Sequence, residues 1–213
     1  MTEEELVHRV IDLYEGARNP HYVSKRIRRG TNGSISSATE DLFANYIAER
    51  IEDVDIYVNQ MFTLGRKRFQ PDIALVHDKK VLSVFELKQD LGWKRAQENK
   101  IEPYAQQIKD LRDQTRNIPN KFNHEKDRKV TFRGLKRNFV IISDGNISKD
   151  LQAENRALFE TIEDTNRFLF LTEGNPHPNA YGKTSDERKA DININEDGLR
   201  EMVETVRLDI AGM

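Results

Sequence analysis

The chain contains no cysteine, which excludes disulfide bonds and every metal site built on thiolates. No apolar run approaches the ~20 residues that a helix needs to cross a bilayer, and the opening residues MTEEE lack the basic and apolar regions of a signal peptide. A glycine-rich phosphate loop is also absent, which disfavours a nucleotide-driven enzyme. The five histidines are scattered without an i, i+4 pair, which argues against a zinc centre. We therefore expect a cytoplasmic protein without membrane contact or nucleotide cofactor.

The composition is that of one medium-sized folded domain. The chain has 213 residues, of which 37% are hydrophobic and 33% are charged. It is long enough to bury a sizeable core and too apolar for a disordered chain. The formal net charge of −2 argues against a protein that coats nucleic acid indiscriminately. Any contact with nucleic acid therefore depends on local basic patches.

Hydrophobic periodicity predicts a mixture of helices and strands. Helical spacing occurs at 3–16, 36–53, 103–111, 149–164 and 198–210, and strand patterns occur at 54–64, 71–76, 81–88, 138–143 and 167–172. Strands 71–76 and 81–88 form a hairpin around a turn at 78–80, and the last two strands flank a helix in a βαβ unit. Residues 117–138 are predicted as a polar loop or small hairpin, and 173–197 as a long polar loop. The fold class is α/β, with a mixed central sheet of about five strands flanked by helices.

The predicted hairpin, FQPDIALVHDKKVLSVFELKQD, carries charged residues where a central strand should be apolar. Glu86 and Lys88 share a strand face with Val84, and Asp72 shares a face of the preceding strand with Ala74. A short turn pairs the start of the first strand with the end of the second, so Asp72 comes opposite Glu86. Two carboxylates and an ammonium group are therefore predicted to converge at one end of the sheet.

This combination suits hydrolysis of a phosphodiester bond. Two neighbouring carboxylates repel each other, and a Mg²⁺ ion relieves that repulsion while keeping sites for water and phosphate oxygens. A nearby lysine can hold the attacking water and stabilise negative charge on the phosphate. The alternative is structural: Glu86 and Lys88 form an ion pair at the sheet end, and Asp72 is a turn residue after Pro71. The placement of all three on apolar strands favours the functional interpretation.

The motif resembles a known signature. Pro71-Asp72, thirteen intervening residues and Glu86-Leu87-Lys88 are similar to the PD-(D/E)XK signature of the restriction-endonuclease-like nuclease superfamily. The order of elements is similar as well: a helix before the hairpin, a helix after it, then strand–helix–strand. The resemblance covers a core at about 37–172. It leaves a helix and basic loop at 1–36 and a polar loop and helix at 173–213 as flanking parts of one domain.

The resemblance implies roles for individual residues. Asp72 and Glu86 would bind Mg²⁺, for which Mn²⁺ would substitute, with help from the backbone carbonyl of Leu87. Lys88 would activate or position the water. Many members add an acidic residue from the helix before the hairpin, and Glu40 is the candidate here because helical spacing places it on the inward side. The pattern from Ser37 to Glu40 is equally a capping box, in which Glu40 bonds back to the Ser37 amide.

Three clusters of cations, at 25–29, 66–68 and 121–137, are candidate contacts to phosphate groups. Each cluster alone fits a solvated surface, but together they suggest a chain that grips a polyanion on one side. The residues predicted to bind DNA are Lys25, Arg26, Arg28, Arg29, Lys94, Arg95, Arg128, Lys129 and Arg133.

The sequence therefore predicts a Mg²⁺-dependent DNA endonuclease, most similar in size to restriction-type enzymes. Cutting both strands of a duplex requires two sites, so we expect a homodimer that acts on double-stranded DNA. Two alternatives remain open. One is a repair or junction-resolving nuclease of the same superfamily, and the other is a nucleic-acid-binding module that keeps the fold without catalysis.

Overall fold

The computed structural model describes residues 1–18, 26, 34–64, 66–89, 111, 115–118, 128–145, 148–161 and 166–212. The elements in chain order are α1 (Glu3–Arg18), α2 (Ser36–Ala48), β1 (Asp55–Val58), β2 (Phe62–Leu64), β3 (Lys67–Phe69), β4 (Ile73–His77), β5 (Lys80–Lys88), β6 (Thr115–Ile118), β7 (Arg128–Ser143), α3 (Lys149–Thr161), β8 (Asn166–Glu173), a 3₁₀ turn (Pro178–Tyr181), α4 (Ser185–Asp191), β9 (Asn193–Ile194) and α5 (Glu196–Ala211).

The strands form one mixed sheet. Its order is β1-β4-β5-β7-β6-β2-β3, and β8 pairs with both β7 and β9. The pairs β5–β7 and β7–β8 are parallel, and the other pairs are antiparallel. The α/β class and the mixed sheet are confirmed, but the expectation of about five strands is too low, since the described residues contribute nine. The additional strands are short ones that depend on pairing with neighbours rather than on a long pattern of their own.

The predicted β4–β5 hairpin is formed, with a bulge between Leu75 and Val76 that the sequence did not predict. Asp78 and Lys79 both adopt positive φ, 47° and 62°, which is the backbone of a tight hairpin turn. The turn is one residue shorter than predicted, because Lys80 already belongs to β5. Ile73 is opposite Phe85 in the register. The central strand β5 is buried from Val81 to Glu86, which confirms that both of its faces are covered.

Two hydrophobic cores lie on opposite faces of this hairpin. Ile73, Leu75 and Phe85 belong to the core that packs against α1, α2 and α5. Ala74 and Val84 belong to a second core, whose other members come mainly from β2, β3 and the first part of β7. Because Asp72 and Glu86 alternate with Ile73 and Phe85, they lie on the face of the second core.

Most of the predicted helices are confirmed. The segments at 3–16, 36–53, 149–164 and 198–210 correspond to α1, α2, α3 and α5, and β7–α3–β8 is the predicted βαβ unit with parallel strands. The predicted helix at 103–111 lies outside the described residues except for Leu111, which is buried. Within the described ranges, no helix combines the length and apolar character needed to span a bilayer.

Three predicted segments differ from the structure. The single strand expected at 54–64 is two strands, β1 and β2, that separate at residues 59–61. Of the two options for 117–138, the hairpin is formed, since β6 pairs with the start of β7. The prediction of a long loop at 173–197 is wrong, because this segment contains the 3₁₀ turn, α4 and β9. A capping box at Thr184 and Glu187 begins α4, so polar composition there reflects helix capping rather than a lack of structure.

Candidate active site

The three motif side chains meet at one end of the β4–β5 hairpin. Continuing the register from Ile73 and Phe85 places Asp72 opposite Glu86. The Lys88 Nζ atom lies 3.4 Å from Glu86 Oε2 and 3.7 Å from Asp72 Oδ2. The Lys88 side chain is 32% exposed, so the ammonium group contacts both carboxylates and still faces the surface. The predicted convergence is therefore present, while the catalytic roles of these residues remain predictions.

Asp72 is fixed to the backbone of the partner strand. The Leu87 N–H donates to Asp72 Oδ2 at 2.6 Å. This bond uses one carboxylate oxygen, and a carboxylate can bind a cation through its other oxygen. In an extended strand the N–H and C=O of one residue point to the same neighbouring strand. The Leu87 carbonyl therefore points toward the same side as its N–H, which is the side of Asp72.

Pro71 has a specific consequence for this carbonyl. The hairpin register, continued by two positions from Ile73 and Phe85, places Pro71 opposite Leu87. A residue at this position of an antiparallel pair would normally donate its N–H to the opposite carbonyl. Proline has no N–H to donate. The Pro-Asp pair thus removes the usual ladder donor for Leu87 and supplies a carboxylate beside it, which suits a cation site made of carboxylate and carbonyl oxygens.

The electrostatics of Glu86 follow from its burial. The residue is 4% exposed, and burial raises its pKa, with the negative charge of Asp72 acting in the same direction. The positive charges of Lys88 and Arg137 oppose this shift and lower the pKa. A divalent cation at the site would act like these two side chains, because it favours the ionised carboxylates.

Arg137 is a buried cation on the same face of the sheet. It is opposite Val84 in the parallel β5–β7 register, and Phe139 is opposite Glu86. The side chain is wholly buried, and its guanidinium carbon lies 5.4 Å from the Phe139 ring centre. Sequence reasoning counted Arg137 only among the cations of the segment 117–138. The continuous apolar run NFVIIS begins one residue after Arg137, and this was the signal that Arg137 belongs to a buried strand.

Glu40 reaches the site from α2. It is 8% exposed, and its Oε2 atom accepts a hydrogen bond from the Asn59 side-chain amide. Burial raises the pKa of Glu40, and the charges of Asp72 and Asp41 raise it further, while Lys88 and the Asn59 hydrogen bond lower it. The electrostatic coupling to Asp72 and Lys88 links Glu40 to the motif residues.

The predicted capping box at Ser37 is not formed. Helix α2 begins at Ser36 with Ile35 as the N-cap, and this N-cap residue makes no side-chain capping bond. Ser37 therefore lies inside the helix, where it cannot serve as the N-cap partner of Glu40. Of the two roles that the sequence left open for Glu40, capping is wrong, and the role in the site remains a prediction.

Asn59 is a site residue that sequence reasoning missed. Its N–H donates to the Asp72 carbonyl at 2.8 Å, and its side chain donates to Glu40. Its φ is 52°, a left-handed conformation that asparagine tolerates better than most residues. The sequence signal was an asparagine inside an otherwise β-branched and aromatic stretch, VDIYVNQMF, which marks a break in the strand.

The predicted DNA-binding residues are distributed unevenly. Lys25, Arg28, Arg29, Lys94 and Arg95 lie outside the described residues, and the Arg128 side chain does as well. Arg26 is exposed, and both Lys129 and Arg133 are exposed on β7. The structure thus places three of the predicted cations on the first part of β7, whereas Glu86 and Lys88 lie at the end of β5 and Asp72 just before β4.

The oxygen donors fit a Mg²⁺ ion. In the described part of the chain, no group of three or more His, Cys, Asp or Glu residues is arranged to hold a metal. Mg²⁺ commonly uses only one or two carboxylates and completes its shell with water and phosphate oxygens. Asp72, Glu86 and the Leu87 carbonyl meet that requirement. No protein-family model, curated protein or solved structure matches the chain.

Proposed function

We propose that this protein is a Mg²⁺-dependent nuclease that hydrolyses phosphodiester bonds in DNA, on a fold of the PD-(D/E)XK type. The observation that carries the proposal is the contact of Lys88 Nζ with both carboxylates, 3.4 Å from Glu86 and 3.7 Å from Asp72, at the open end of a buried hairpin. Two carboxylates and one ammonium group on adjacent strands provide the functional groups that this reaction needs.

Each residue has a definite task in this proposal. Asp72 and Glu86 would hold the cation, and the Leu87 carbonyl would complete the protein ligands. When bound, the ion would polarise the phosphate and neutralise its developing charge. The partly exposed Lys88 ammonium would donate a hydrogen bond to the attacking water and position it. Glu40, oriented by Asn59, would add a third acidic group to the site.

We further propose that the substrate is a DNA duplex and that the active form is a homodimer. One chain carries one such constellation, and cutting both strands of a duplex requires two. A restriction-type enzyme uses this arrangement directly. A repair or junction-resolving nuclease would use the same site on nicked or branched DNA.

Cleavage of unmethylated phage and plasmid DNA tests the proposal. Wild-type protein with Mg²⁺ should cut the DNA, and Lys88→Ala should not. Lys80→Ala is the matched control, because Lys80 lies at the opposite end of the same strand and its loss should leave cutting intact. Discrete fragments would indicate a sequence-specific enzyme, whereas nicking or smearing that depends on Lys88 would indicate a structure-directed or non-specific one. Cutting that persists in Lys88→Ala would show that the site is wrongly assigned.

A second function is favoured by the same ion pairs. Lys88 balances charge on Asp72 and Glu86, so the three groups could serve to stabilise a nucleic-acid-binding module that does not cut. This alternative predicts a folded protein that binds DNA but leaves duplex, branched and single-stranded DNA intact with Mg²⁺.

A further inference from the structure

Four strand segments next to the site contain cations and no acid. They are β2 with β3 (62–69), β6 (115–118) and the first part of β7 (128–133), which together are called the basic arm. The arm has seven cations and no aspartate or glutamate, although the whole chain has a net charge of −2. The cations of the arm are Arg66, Lys67, Arg68, Arg116, Arg128, Lys129 and Arg133. Such a concentration of one sign creates a positive potential on this part of the surface.

The strand pairing aligns polar positions across the arm. Arg68 is opposite Thr63, Thr63 is opposite Asn117, and Asn117 is opposite Lys129. Strands in a sheet are ~4.8 Å apart, so this row of four positions spans about 14 Å. Arg68 and Lys129, at its two ends, are both exposed. The row therefore begins and ends with a cation that solvent can reach.

The two faces of the arm differ in character. Phe62, Phe69 and Phe132 point into the second core and are at most 3% exposed. Lys129 and Arg133 alternate with buried Val130 and Phe132, so they belong to the opposite, outer face. One face thus anchors the arm to the protein, and the other presents cations to solvent.

The exposed cations of the arm are not neutralised within the described chain. Arg66, Lys67, Arg68, Lys129 and Arg133 form no ion pair with a carboxylate in the ranges that the structure describes. By contrast, exposed Arg200 and Arg207 on α5 both pair with acids of their own helix. As far as the described residues extend, these five cations therefore keep their charge for an external polyanion.

The arm is connected directly to the candidate active site. Strands β1 and β4 pair up to Val58 and Ile73, and the Asn59 N–H then bonds to the Asp72 carbonyl. Beyond this point, the segment that follows Asn59 continues into β2, and the segment that precedes Asp72 comes from β3. Arg68 is four residues from Asp72, which limits their separation to about 14 Å along an extended chain. Phosphates of one DNA strand advance ~3.4 Å along the helix axis, so this reach corresponds to about four nucleotides.

We propose that the outer face of the basic arm binds the phosphate backbone of a nucleic acid duplex beside the bond that is cut. This inference rests on the proposed function, since it assigns the arm to the same substrate. A duplex is favoured over a single strand because single strands are held largely by aromatic stacking. The three described aromatic side chains of the arm are buried in the core, so its exposed face offers phosphate contacts only.

The test compares Arg66→Glu/Arg68→Glu with the matched variant Arg9→Glu/Lys149→Glu. Arg9 and Lys149 are exposed, lie on α1 and α3, and give the same change in net charge. Binding of wild-type and variant protein to a fluorescent duplex is measured by anisotropy at several salt concentrations, in chelator so that no cutting occurs. Loss of two phosphate contacts should reduce the slope of log K against log salt by about 1.8. Affinity at 0.1 M salt should fall at least about tenfold for the arm variant only.

The outcomes separate this inference from the proposed function. Equal affinity and slope for wild type and arm variant would overturn it, even if the protein cuts DNA. Loss of duplex binding in the arm variant supports it, even if wild type cuts nothing with Mg²⁺. A single strand or polyglutamate bound as tightly as the duplex would overturn the choice of partner. Melting temperatures equal to that of wild type establish that both variants are folded.

Discussion

Replacing Asp72 by asparagine should remove the response of the protein to Mg²⁺ while leaving the fold intact. The substitution keeps the size of the side chain and removes one negative charge. Its amide oxygen can still accept the Leu87 N–H, as Asp72 Oδ2 does at 2.6 Å. The charge is what a Mg²⁺ site at this position depends on. We therefore expect the effect on metal binding to be much larger than the effect on folding.

Opposing changes keep the folding free energy nearly constant. The variant loses the ion pair with Lys88, whose side chain is 32% exposed, and partly exposed pairs contribute about 0–1 kcal/mol. It also weakens a charge-assisted hydrogen bond to Leu87. Burial is the main cause of the raised pKa of Glu86, and the charge of Asp72 raises it further. Removing the charge of Asp72 therefore relieves repulsion between the two side chains. We expect a net change within about 1 kcal/mol, or roughly 2–4 °C in a chain of this length.

The effect of the metal should be several-fold larger. Mg²⁺ present at about 100 times its dissociation constant stabilises a single-site protein by about 2.7 kcal/mol. At this chain length that corresponds to roughly 5–10 °C. Thermal melts in chelator and in Mg²⁺ should show this gain for wild type and none for Asp72→Asn. A titration of the wild-type protein with Mg²⁺ gives the dissociation constant and identifies the saturating range.

Asp144→Asn is the matched control. Asp144 follows β7 at the same end of the parallel strands, where it accepts hydrogen bonds from Gly174 N–H and the Gln152 amide. Its replacement should lower stability but preserve the gain with Mg²⁺. A wild-type protein that gains nothing at any Mg²⁺ concentration would refute the cation site. An Asp72→Asn variant that gains as much as wild type would refute its assignment to Asp72.

Three further outcomes follow from the same geometry. Pro71→Ala supplies an N–H opposite the Leu87 carbonyl, and this new donor would compete with Mg²⁺ for the carbonyl oxygen. A competing hydrogen bond worth about 0.5–1.5 kcal/mol should weaken Mg²⁺ binding up to about tenfold with little change in melting temperature. Unchanged affinity in a calorimetric titration would contradict this. Burial and Asp72 raise the pKa of Glu86, so in chelator the folded state should lose stability as pH rises through that raised pKa. Melts at a series of pH values should show that Glu86→Gln flattens this loss and that Mg²⁺ offsets it in wild type. Burial also raises the pKa of Glu40, so Glu40→Gln should melt no lower than wild type at neutral pH in chelator, yet cut DNA more slowly; full cutting rates would exclude Glu40 from the site.

The hairpin that carries the motif was predictable because its determinants are local. The alternation in β4 and β5 separates Val84 and Glu86 from Phe85 within a few residues, and the turn joins the two strands directly. The turn pairs His77 with Lys80, and a bulge between Leu75 and Val76 then shifts the register by one residue, so that Ile73 is opposite Phe85. The predicted three-residue turn gives this same register at the motif, so Asp72, Glu86 and Lys88 could be brought together from the sequence without knowledge of any distant contact.

The basic arm could not be predicted in the same way. Strands β2 and β3 have three residues each and pair with one another, and β2 joins β6 through a single register pair, Thr63 with Asn117. That partner is more than fifty positions away along the chain. A pattern of three residues cannot distinguish a separate strand from the end of β1, so the sequence predicted one continuous strand.

The two capping-box patterns show how local signals compete with packing. Ser37 to Glu40 and Thr184 to Glu187 both match the pattern of a hydroxyl residue followed three positions later by glutamate. Only the second forms a capping box. Thr184 and Glu187 are at the surface, where the reciprocal hydrogen bonds have no competitor. Glu40 is buried instead, and Asn59 offers it a partner there.

The break at Asn59 links the two parts of the proposed function. A continuous strand from 54 to 64 would extend the main sheet past Asp72 and keep Asn59 in an extended conformation. The positive φ of Asn59 ends β1, and its side chain bonds to Glu40. It also releases the chain to form β2, which pairs with β6 and β3 instead of continuing beside β4. One irregular residue thus positions an acidic group at the site and directs Arg68 toward the surface where a duplex would lie. Under the proposed function, binding and cutting one backbone requires both groups at a limited separation, and the four residues from Arg68 to Asp72 limit it to about 14 Å.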